Sequence, residues 1–66
     1  MIDLRKVRQD NGLTQTALAE AAGVVRQTIS NIECGISAPS VGLAKKLAKV
    51  LGVNWYDFFS EDEDNE

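Results

Sequence analysis

The run Arg26-Gln27-Thr28-Ile29-Ser30-Asn31 brings together five side chains able to exchange hydrogen bonds. Their chemistry suits the edges of base pairs. Arg can bond bidentately to guanine and Gln to adenine, and Thr offers a methyl group to thymine or a hydroxyl to a phosphate. Ser30 and Asn31 follow one helical turn later, toward the wall or backbone of a groove. The base-reading set expected on these grounds is Arg26, Gln27, Thr28 and Asn31, with Ser30 on phosphate. Taken alone, the same residues also describe a solvated polar face with no ligand.

Two helical patterns flank one glycine and would position this set. Leu18, Ala19 and Ala22 recur at helical spacing, which predicts an apolar face on a first helix. Gly23 follows, where a positive φ carries no penalty. Val25, Ile29 and Ile32 recur at spacings of four and three, predicting a second helix over Val25–Glu33 with its polar residues on the opposite side. Helix, tight turn and helix form a helix-turn-helix arrangement, which lays its second helix in the DNA major groove. Thr14 is a good cap for the first of these helices. Gln15 then stands beside unpaired backbone donors that can hold a phosphate.

The stretch Gln15–Cys34 resembles the helix-turn-helix of the Cro and C1 phage repressors and their bacterial relatives, the XRE family. Gln15 opens the motif, and Ala19 takes the small position where the helices touch. Gly23 takes the turn and Val24 the apolar residue after it. Ile29 and Ile32 take the buried positions, and Glu33 before Cys34-Gly35 is similar to the usual Glu-x-Gly ending. The resemblance extends from about Leu4 to Phe59. It implies an all-α fold, a compact five-helix lambda-repressor-like domain. It also implies an ion pair between Arg8 and Glu33 that fixes the recognition helix against the first helix. The chain departs from the family at Val25, where Ser or Thr is usual. That loss removes a helix cap worth about 1 kcal/mol and puts a phosphate contact in question. The loop Cys34–Pro39 lacks the Lys or Arg found in many relatives. Phosphate contacts there fall to backbone N–H groups and to Ser37 or Ser40, so weaker binding or stronger dependence on dimerisation is expected.

The remaining elements follow the same logic. A helix over Asp3–Asp10 has Leu4 and Val7 inward and ends at Asn11-Gly12. Its Arg5 and Lys6 read as a solvated face. A helix capped by Ser40 and running to Leu51 would bury Val41, Ala44, Leu47, Ala48 and Leu51, with Lys45, Lys46 and Lys49 in solvent. A last helix, Asn54–Phe59, would be capped by Asn54 with Asp57 three residues on. It holds every aromatic of the chain. Trp55, Phe58 and Phe59 match the family's core-closing positions. Leu43 and Val50, seven residues apart and off the core face, combine with Tyr56 into an expected homodimer interface.

Composition sets the outer bounds. Sixty-six residues allow one domain, and one this small buries only roughly 60% of its unfolded surface. The domain is expected over residues 1–59, followed by a disordered acidic tail over 60–66. Net charge is −3, but residues 61–66 hold five of the ten acidic residues. Residues 1–60 carry seven basic and five acidic residues, a net of +2, so non-specific attraction to phosphate is modest. One Cys and no His exclude an intramolecular disulfide and leave too few ligands for structural zinc. No metal, cofactor or small-molecule ligand is expected. The start MIDLRKVRQD has no apolar run, so neither a secretory leader nor a membrane span is expected, and the chain reads as cytoplasmic. An enzyme is not expected, because no nucleophile stands beside a base and no glycine-rich phosphate loop occurs. The function expected is a sequence-specific regulator of double-stranded DNA, a small phage- or plasmid-type repressor on a palindromic operator. The alternatives are an antitoxin or adaptor acting through the acidic tail, and a restriction–modification controller of the same size and fold.

Overall fold

Among the described residues, short polar side chains start three of the four α-helices. Asp3 accepts from the N–H of Lys6 and opens α1, Leu4–Asp10. Thr14 accepts from Ala17 and opens α2, Gln15–Ala22. Ser40 accepts from Leu43 and opens α4, Val41–Leu51. Each side chain satisfies one of the backbone donors that a helix start leaves without a partner. The third helix, α3, Arg26–Glu33, begins at Val25 with no such bond. The computed structural model describes residues 2–59, and the expectations for the tail 60–66 lie outside them.

The turn between α2 and α3 depends on Gly23, whose φ of 72° is the left-handed conformation that glycine adopts without a Cβ penalty. Its N–H reaches Glu20 O and that of Val24 reaches Ala19 O, so the last α2 carbonyls are satisfied inside the turn. Ala19 and Ala22 are both buried. Their small side chains let α2 lie close against its neighbours α3 and α4, while α1 leans on α3.

One core unites these elements. Leu4, Leu18, Ile29, Ile32, Ala44, Leu47, Leu51 and Phe58 are all buried in it. Full burial of one such large side chain contributes about 1.5–3 kcal/mol, against a total stability of about 5–15 kcal/mol for a domain. A single truncation in this core therefore removes a large share of the stability. The chain start is fastened at the far end, where Ile2 N–H donates to Asp57 O at 3.0 Å.

Several expectations require correction. The fifth helix is not an α-helix but a single 3-10 turn, Trp55–Phe58. Asn54 makes no side-chain cap there, and the closing bonds, Asp57 N–H to Asn54 O and Phe59 N–H to Tyr56 O, span three residues. The described architecture is thus four α-helices and one 3-10 turn. So tight a turn carries only one aromatic inward. Phe58 is buried, whereas Trp55 and Phe59 are 37% and 40% exposed, so they do not close the core. Val41, at the first position of α4, is half exposed, because Pro39 occupies the buried place at that end. Leu43 and Val50 are half-buried and packed against the core rather than clear of it. Val25 stands in extended backbone before α3 and leaves the stripe made by Ile29 and Ile32; it is 69% exposed.

Candidate nucleic-acid interface

The site begins with one carboxylate. Glu33, at the end of α3, accepts from Arg8 Nε at 2.6 Å and Arg8 Nη2 at 3.3 Å. It also accepts from Gln15 Nε2 at 3.0 Å. Arg8 gives its remaining arm to Leu13 O at 2.7 Å. Gln15 in turn accepts from Arg26 Nη1 at 3.1 Å through its amide oxygen. A hydrogen-bonded chain, Arg8–Glu33–Gln15–Arg26, therefore joins α1, both ends of α3 and the start of α2. Arg26 and Glu33 are seven residues apart, two helical turns, so they share one face of α3. Gln15 reaches both from α2.

Charge in this chain is balanced unevenly. Burial alone would raise the pKa of the Glu33 carboxyl. The hydrogen bonds from Arg8 and Gln15, with the positive charges of Arg8 and Arg5, outweigh it and hold the carboxyl below its ordinary value. Glu33 stays ionised and keeps its three donors aligned.

An open cleft lies over this network, lined by Arg5, Thr14, Gln15, Thr16, Arg26 and Cys34 among others. The N–H groups of Gln15 and Thr16 lack intrahelical acceptors by position. Together with the Arg5 and Arg26 guanidiniums they form an environment for an anion such as a phosphate. Arg5 is exposed, as expected, and its side chain stands at the rim of this cleft. It lies three residues from Arg8, so the two are neighbours on α1. Lys6 does point to water, where it meets Asp10 at 3.9 Å with both side chains mostly exposed. The lysines of α4 are exposed as well, and Lys45 sits 5.2 Å from the centre of the Trp55 ring.

Outward from the core, Gln27, Ser30 and Asn31 occupy the middle of the solvent face of α3, opposite Ile29 and Ile32. Gln27 Nε2 donates to Asn31 Oδ1 at 2.9 Å. This contact orients both amides and leaves the Gln27 oxygen and the Asn31 NH2 group for an outside partner. Thr28 is half-buried at one flank of that face, and Arg26 stands at the other, held by Gln15. Asn31 O accepts from the N–H groups of Ile36 and Ser37 at 2.9 and 3.3 Å, which folds the next loop against the end of α3 and keeps Ser37 near it. Ser40 is exposed, its hydroxyl oxygen accepting from Leu43 N–H. Tyr56 is 54% exposed on the opposite, 3-10 end of the chain, which packs on α4.

A family model described as helix-turn-helix matches residues 4–58. The chain is 47% identical over 62 residues to an uncharacterized HTH-type transcriptional regulator of Methanothermobacter thermautotrophicus, covering 92% of this chain and 90% of that protein. It is 40% identical over 60 residues to the HTH-type transcriptional regulator PuuR of Escherichia coli, covering 91% of this chain and 32% of PuuR. The chain thus spans about a third of PuuR. The structure is similar to the N-terminal DNA binding domain of SinR from Bacillus subtilis, with a TM-score of 0.79 at 29% identity, over 92% of this chain and 90% of that one.

Proposed function

The chain belongs to the Cro/C1-type helix-turn-helix family of DNA-binding transcriptional regulators, and from that premise we propose that it is a small repressor that binds a palindromic operator as a homodimer, with α3 in the major groove. The coupled pair Gln27–Asn31 on the outer face of α3 supports this reading most directly. Two amides aligned by each other can offer an acceptor and a donor to one base edge, the pattern that adenine matches in the major groove.

Around that pair, Arg26 and Thr28 take the flanking base contacts. Gln15 sets the direction of Arg26 and meets a phosphate at the cleft, which Arg5 shares. Ser30, Ser37 and Ser40 contact the backbone at the other edge. Phosphate contacts position the helix, and base contacts specify the sequence. Two copies joined through Leu43, Val50 and Tyr56 present two α3 helices to successive major grooves. Their half-sites then lie about 10–10.5 base pairs apart, centre to centre. Acting on double-stranded DNA, the repressor works in the cytoplasm and requires no cofactor.

Selection from a random duplex pool at moderate salt tests the proposal. The expected product is an enriched palindrome with that spacing. A single unrepeated half-site would remove the homodimer from the reading. A folded protein that enriches nothing would remove sequence-specific readout by α3.

A further inference from the structure

Val25 faces water at the leading end of α3, 69% exposed, immediately before the exposed Arg26 and Gln27. Its backbone is extended, with φ −82° and ψ 156°, so its side chain does not follow the apolar stripe of the helix. The half-buried Val24 packs against the core instead. Among the described residues, α3 is the α-helix whose start has no side-chain cap, while α1, α2 and α4 each have one. A valine at this position forgoes the cap and exposes an isopropyl group, so it contributes little to the fold.

An isopropyl group has neither donor nor acceptor. On the major-groove edges of the four base pairs, the one group of matching chemistry is the C5-methyl of thymine. Valine is also stiff at χ1, so little side-chain freedom is lost when it packs. We propose that Val25 is a specificity-determining residue. It packs its isopropyl group against the C5-methyl of one thymine in each half-site, beside the base pair met by Arg26 or Gln27. This inference rests on the placement of α3 in the major groove and adds a base preference that the polar face does not supply.

The test uses the full chain and the duplex enriched by selection. Each thymine of a half-site is replaced in turn by deoxyuridine, which removes the methyl group and keeps the pairing. Binding is read by fluorescence anisotropy for the native chain and for Val25→Ala, with circular dichroism to verify folding. One deoxyuridine should weaken native binding by about four-fold, the value of one buried methyl group. At that same position Val25→Ala should show no loss, while 5-methylcytosine paired with guanine should retain the Val25-dependent part. Equal uracil sensitivity in both proteins at every thymine, or no sensitive thymine, would overturn the role of Val25 and leave groove reading by α3 intact. Failure to enrich any duplex would overturn both.

Discussion

Arg8 Nε and Glu33 Oε2 meet at 2.6 Å with their side chains only 10% and 3% exposed. The two residues lie 25 positions apart, and their contact ties α1 to the far end of α3. A pair withdrawn from water in this way has little net worth, but removing one member leaves the other charged, buried and alone. Arg8→Ala and Glu33→Ala should therefore each cost about 3 kcal/mol, a large share of what a small domain has. The double variant should cost clearly less than the sum. Urea denaturation of the three variants measures this cycle. Additive losses would mean that the pair is not coupled.

Acid should expose the same contact. The Glu33 carboxyl titrates below its ordinary value in the folded chain, so the unfolded chain binds its proton first as pH falls. The stability from this group is complete above the unfolded value, about 4.3 for Glu. It is lost as pH falls through the lower folded value. Denaturation midpoints followed from pH 7 downward should drop across that window in the native chain. In Glu33→Gln the drop should be smaller, from a lower starting stability. Parallel profiles would show that Glu33 is not the group that senses acid.

Periodicity made the helix-turn-helix legible, because Leu18, Ala19, Ala22, Ile29 and Ile32 repeat at the helical period and all five are buried. Arg8 lies four residues from Leu4 and so shares the inward side of α1, where both are buried, but only the family resemblance points to Glu33 as its partner. Val25 misled the same periodicity. A residue at the cap position has left the helical backbone, so its spacing no longer says where its side chain goes. Residues 55–59 misled the family resemblance. Trp55, Phe58 and Phe59 were expected to close the core, but a 3-10 turn of Trp55–Phe58 carries only Phe58 inward. Arg5 is exposed as its type and place suggested, and only the packed structure shows that Thr14, Gln15 and Thr16 share a cleft with it.

Gln15 offers a way to separate orientation from charge. It holds Arg26 by one atom and Glu33 by another, yet it is neutral. Gln15→Ala should cost about 1 kcal/mol of stability and lower operator affinity, while leaving the slope of log affinity against log salt unchanged. Arg5→Ala removes a charge at the same cleft and should reduce that slope by about one. Affinity titrations over a salt series distinguish the two. A slope change for Gln15→Ala, or none for Arg5→Ala, would contradict the roles given to them.

The proposed homodimer is best probed at Tyr56. Leu43 and Val50 also pack against the core, so changing them would confound association with folding. Tyr56 is 54% exposed and stands edge-on to Trp55 at 6.1 Å, in an exposed aromatic group with Phe59. Tyrosines at the centre of an interface commonly carry much of its energy. Tyr56→Asp should leave thermal stability within about 0.5 kcal/mol, as surface substitutions do. It should weaken self-association at least about tenfold, or 1.4 kcal/mol. In the proposed arrangement the dimer engages both half-sites, so operator binding at low protein concentration should weaken with it. Sedimentation equilibrium alongside operator titration measures both quantities. A native chain that stays monomeric while binding a whole palindrome, or a variant that dimerises as well as the native chain, would move the interface away from Tyr56.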